Sequence, residues 1–160
     1  MRHGRIIGTP NEDQMKYIIP LICLLIVVID VDYEHGSDIW YAIKQELPRS
    51  NIQLVLINNG QNGLLQGIGW AVTNRADVIC IPLVTSTYSR DVERSIIKAG
   101  EQEIKIVAPL WNKDFLYRLK MRMGINMDLV YPACYPGVIK ANGNRRGNSF
   151  ASAIEAAGIY

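Results

Sequence analysis

A chain of 160 residues, 49% hydrophobic and 20% charged, is long enough for one domain with a substantial core. Its net charge of +2 implies no strongly charged partner, and Arg145-Arg146 and Lys120-Met121-Arg122 are too short to track nucleic acid. Cys23, Cys80 and Cys134 form no Cys-x-x-Cys pair and no paired framework, which argues against a zinc site or a disulfide scaffold and favours a reducing, cytoplasmic compartment.

Residues 1–16 are polar and irregular and read as an N-terminal arm, with one α/β domain over 17–160. Tyr17 to Ile29 is strongly apolar but contains Pro20 and is too short for a membrane span. Asn11-Glu12-Asp13 separates it from the basic start, and no small-residue cleavage site follows, so a buried strand is expected rather than a secretory signal.

Leu21 to Ile29 lacks alternation, as does a strand covered on both faces of a parallel sheet, and it ends at Asp30. The polar segment from Asp30 to Ser37 follows. Asp38 to Leu47 carries Ile39, Ala42, Ile43 and Leu47 at helical spacing and stops at Pro48. Ile52 to Ile57 is a second strand, and Asn58-Asn59-Gly60-Gln61-Asn62-Gly63 is a turn-rich loop. Leu64 to Asn74 is a helix whose Gly67 and Gly69 predict close packing on the sheet. Asp77 to Val84 is a third strand. A helix from about Arg90 to Ala99 is expected to be capped by Gly100. Ile104 to Leu110 is a fourth strand, Phe115 to Met123 an amphipathic helix, and Gly124 to Pro136 a loop. Residues 137–141 form a short fifth strand, and a small-residue helix follows Ser149.

Strands alternating with helices predict an α/β fold with a mainly parallel central sheet between helical layers. Sites in such sheets form beyond the carboxyl ends of the strands. Asp30, His35, Asn112 and Ser149 stand at strand ends or helix starts. Singly, each has a plain reading as a strand-end cap, a helix-start residue, a turn residue and an N-cap. Together they are the types that serine acyl transfer needs: an orienting carboxylate, a base, an oxyanion donor and a nucleophile.

Six stretches resemble the subtilases, the subtilisin-like serine proteases, in the family's order. Ile26 to Asp30 is similar to the strand ending on the catalytic Asp, and His35-Gly36-Ser37 to the start of the His-Gly-Thr helix. Trp70 to Ile79 resembles the helix and strand before the substrate-binding strand, and Ile106 to Asn112 the strand ending on the oxyanion Asn. Tyr131 to Ile139 resembles Tyr-Pro-Ala-x-Tyr-Pro-x-Val-Ile, and Gly147 to Ser152 resembles Gly-Thr-Ser-Met-Ala-Ser. The resemblance implies a compact subtilisin-like fold and a serine endopeptidase acting on peptide or protein without metal or cofactor. It assigns Ser149 as nucleophile, His35 as base and then acid, Asp30 as orienting carboxylate, and Asn112 as oxyanion donor. It places substrate along Pro82, Leu83 and Val84.

The chain departs from the family in several places. Asp30 and His35 are only five residues apart, which makes Asp32 a rival orienting carboxylate. Bulky Trp40 and Tyr41 stand where the family's helix has small residues. Pro82 lacks an N–H, and Val84 replaces a glycine that lets substrate approach. Elements that cover the nucleophile helix in the family are missing, which leaves three expectations: a minimal enzyme, a decayed relative, or one part of an assembly whose partner subunit covers that helix. The alternative is an inactive binding module on the same fold. A small-molecule site at Asn58 to Gly63 is a third reading, but that loop lacks the Walker and Gly-x-Gly-x-x-Gly patterns.

Overall fold

The computed structural model describes residues 24–110, 122–123 and 130–141. Five strands, β1 (Leu25–Asp30), β2 (Asn51–Leu56), β3 (Val78–Cys80), β4 (Lys105–Pro109) and β5 (Val138–Ala141), form one parallel sheet in the order β2-β1-β3-β4-β5. Among the described residues, three helices lie between β1 and β4: α1 (Tyr33–Glu46) joins β1 to β2, α2 (Gln61–Thr73) joins β2 to β3, and α3 (Arg90–Glu101) joins β3 to β4.

The side-chain period of two along β1 divides the core. Val27 and Ile29 join the cluster with Ile68 of α2 and Val92 and Ile96 of α3. Ile26 and Val28 join the opposite cluster with Ile39 and Ile43 of α1. All four β1 side chains are fully buried, each contributing about 1.5–3 kcal/mol relative to exposure. That double coverage is why β1 shows no alternation in sequence. Asp30, next in the period, falls on the α1 side.

β1 is followed by a helix on one face of the sheet, and its neighbour β3 by a helix on the other. The order therefore reverses between β1 and β3, and the carboxyl ends of these two strands are the topological switch point, where ligands bind in open sheets of this kind.

Several boundaries differ from expectation. α1 begins at Tyr33, five residues before the periodic apolar stretch, because Asp32 caps it. β3 is three residues long rather than eight. Ile81 N–H still reaches Val107 O (2.9 Å), but Pro82 has no N–H with which to extend the ladder. Gly100 lies inside α3 rather than capping it; Glu103 takes the left-handed turn at φ 63°. Gly67 does pack closely, since a Cβ there would lie 2.8 Å from Ile29 Cγ2. Gly69 faces open space, contrary to expectation. Trp40 fits at the flank of α1, half-buried against the core, and its indole N–H donates to Ile52 O (2.9 Å).

The expected helix over Phe115 to Met123 lies outside the described residues except at its end, as does the segment after Ser149. Among the described residues, no helix is long and apolar enough to cross a membrane.

Candidate functional site

Asp30 ends β1 with its carboxylate 1% exposed. Burying a carboxylate demands partners for both oxygens. Oδ1 accepts the backbone N–H groups of Val31 (2.7 Å) and Asp32 (3.1 Å). Oδ2 lies 2.7 Å from His35 Nδ1. The Asp30 carbonyl accepts from Ile57 N–H (2.8 Å), which ties the strand end to the exit of β2.

His35 enters from the first turn of α1. Asp32 Oδ1 accepts its N–H at 2.9 Å, a side-chain cap that places residue 35 over the strand end. Asp32 thus acts on the His35 backbone, and Asp30 is the carboxylate on the ring. The following glycine makes this approach possible. A Cβ at Gly36 would lie 3.1 Å from Asp30 Cβ and 2.6 Å from Leu54 Cδ1. The five-residue link therefore suffices to bring strand-end carboxylate and imidazole together.

An ionised carboxylate only accepts hydrogen bonds, so opposite an ionised Asp30 the hydrogen sits on Nδ1, and a neutral ring in that tautomer keeps its lone pair on Nε2. The His35 side chain is 48% exposed. The ring is oriented by a buried carboxylate and remains half-exposed, an arrangement suited to a proton acceptor.

Across the switch point, the chain leaves β3 through Pro82, Leu83 and Val84. Val84 is 38% exposed. Thr85 pairs antiparallel with Tyr131, each N–H meeting the other's carbonyl at 2.9 and 2.8 Å. The Tyr131-Pro132 peptide is cis. Tyr88, Tyr131 and Tyr135 form an aromatic cluster with centroids 4.6–5.8 Å apart. The Tyr135 hydroxyl accepts from Ser89 N–H (2.8 Å) and donates to Ser89 O (3.0 Å). Ser89 is itself the N-cap of α3, so Tyr135 fixes the start of that helix. Burial pushes the Tyr135 hydroxyl pKa up, and the hydrogen bond to Glu93 (2.6 Å) pushes that of Tyr88 up. In the sequence Tyr131 and Tyr135 stand only within the Tyr131 to Ile139 motif, because the partner of Tyr135 lies 46 residues away, beyond any local pattern.

Asn112 and Ser149 lie outside the described residues. Among the described residues, no three His, Cys, Asp or Glu side chains come together as a metal site. Cys80 is fully buried, which raises its thiol pKa far above the ordinary range. In the Asn58 to Gly63 loop, Gly63 lets the Asn58 carbonyl approach α2, and Gly60 stands before the helix at φ 108°.

No family model matches the chain. A curated relative, the minor extracellular protease Epr of Bacillus subtilis (strain 168), is 31% identical over 117 residues, covering 70% of this chain. The match takes in only 17% of that protein's length. Among solved structures, a PatG macrocyclase in complex with peptide superposes with a TM-score of 0.51 at 11% identity, over 77% of this chain and 60% of that one. A LacI family transcriptional regulator CcpA from Weissella paramesenteroides with bound glucose reaches 0.43 at 7% identity, over 84% of this chain and 54% of that one. The α/β fold with a parallel sheet, expected from the subtilisin-like resemblance, is the fold observed.

Proposed function

We propose that this chain carries the catalytic centre of a subtilisin-like serine peptidase. The observation that carries the reading is the 2.7 Å contact between buried Asp30 and half-exposed His35 at the carboxyl edge of the sheet. Support also comes from six motif resemblances in order and from the 31% identity to an extracellular protease.

In this mechanism His35 Nε2 takes the proton of the Ser149 hydroxyl as Ser149 Oγ attacks the peptide carbonyl. Asp30 stabilises the imidazolium without accepting the proton. Asn112 and the Ser149 N–H hold the oxyanion. His35 then protonates the leaving amine, and water repeats the sequence to release the acid. Peptide substrate lies along Pro82, Leu83 and Val84, and the part of Asn112 and Ser149 follows from the resemblance.

The second reading, an inactive module that binds a partner, draws on Pro82 and Val84. Val84 puts a side chain where a substrate backbone would approach, and Pro82 gives that backbone no donor. Hydrolysis of a mixed fluorogenic peptide library separates the two readings. The peptidase reading expects turnover by the purified protein that disappears in Ser149→Ala and in His35→Ala. A folded protein with no turnover, or turnover that survives both substitutions, overturns it.

A further inference from the structure

The junction between β1 and α1 closes a ring of hydrogen bonds. Asp30 Oδ1 accepts from Asp32 N–H, Asp32 Oδ1 accepts from His35 N–H, and the His35 ring returns to Asp30 Oδ2. The Asp32 carbonyl also accepts from Gly36 N–H at 3.0 Å. Asp32 is held at its own N–H by the carboxylate that His35 must meet, and it holds the His35 backbone in turn. The carboxylate of residue 32 is exposed and touches the His35 backbone rather than the ring.

We infer that Asp32 is the positioning residue for His35: its side chain, acting as a hydrogen-bond acceptor on His35 N–H, fixes the ring on Asp30 and selects the tautomer with Nδ1 protonated. This role rests on the reading of His35 as the base. It replaces the slack that a five-residue link removes. A side chain reached through so short a segment is aimed by its backbone, and residue 32 sets that backbone. The part played is geometric, so an uncharged acceptor fulfils it.

The test is long-range 1H–15N spectroscopy of the full chain labelled at histidine, with His3→Gln to assign the two rings. The wild-type protein is expected to show His35 as a single tautomer, protonated at Nδ1. Asp32→Gly keeps an acceptable helix start but removes the acceptor, and His35 should then average between tautomers in a protein that remains folded. Asp32→Asn and Asp32→Ser should keep the wild-type pattern. The rate of Ser149 labelling by a fluorophosphonate should fall between about 10- and 100-fold in Asp32→Gly, because small misplacements are costly, and recover in Asp32→Asn. A wild-type tautomer pattern in folded Asp32→Gly would reduce Asp32 to an ordinary helix cap. Loss of the pattern in Asp32→Asn would make its charge, not its geometry, responsible. A wild-type protein that shows the tautomer, loses it in Asp32→Gly and takes no label would overturn the peptidase reading while upholding the role of Asp32.

Discussion

The two sides of the switch point between β1 and β3 are built in opposite ways. On one side, Asp30, Asp32, His35 and Gly36 are joined by bonds spanning no more than five residues. On the other, the segment from Pro82 to Ser89 is held by Tyr131 and Tyr135, about 46 positions away. The first side depends on local chemistry and survives as long as its own few residues do. The second depends on the whole fold, since Thr85 and Ser89 have their places only after β4 and β5 are in register. A substitution on the first side should therefore change chemistry with little loss of stability, and one on the second should do the reverse.

The largest expected effect is on the first side. His35→Ala should lower peptide hydrolysis by about 10⁴-fold or more; the space left by the half-exposed ring admits water to Asp30 Oδ2, so the loss of thermal stability should be small beside the loss of activity. Asp30→Asn should cost about 10³–10⁴-fold, as an amide favours the wrong imidazole tautomer; steady-state kinetics should place the loss in kcat. A large drop in melting temperature in His35→Ala would blur the contrast.

Gly36→Ala joins the two properties. The new methyl would meet Leu54 and Asp30, at 2.6 and 3.1 Å, and should cost about 1–3 kcal/mol by overpacking. Chemical denaturation measures this, and adding Leu54→Ala should recover part of it.

Tyr135→Phe probes the second side. It removes both hydrogen bonds to Ser89 and should destabilise by about 1–3 kcal/mol, while the His35 tautomer stays as in the wild type. The smallest effect is the pH dependence of the same group. Burial raises the folded-state pKa of Tyr135, so above the ordinary tyrosine value of about 10 the unfolded chain gives up its proton first. Stability should fall as pH rises from there toward the folded-state value. The fall should be shallower in Tyr135→Phe, as measured by denaturation in alkaline buffers.

The same contrast explains what was legible in the sequence. The unbroken apolar run of Leu24 to Ile29, the terminal Asp30 and the turn after it mark a doubly covered strand ending in a polar site. The start of α1 was hidden because Tyr33 to Ser37 has no apolar period; the available signal was Asp32 as an N-cap with Glu34 in the first turn. Pro82 announced the early end of β3, yet the apolar run through Val84 obscured it. Gly67 and Gly69 look alike in sequence, but only Gly67 faces Ile29 and Ile57. Nothing local reveals that Tyr135 reaches Ser89, because strand order, not sequence distance, brings them together.

In the proposed mechanism Asp30 and His35 together activate Ser149. Treating the purified protein with a fluorophosphonate and mapping the modified peptide by mass spectrometry tests it most directly. One adduct is expected, on Ser149, formed at a rate that collapses in His35→Ala and falls sharply in Asp30→Asn. An unmodified folded protein, an adduct elsewhere, or labelling of Ser149 indifferent to His35 would contradict it.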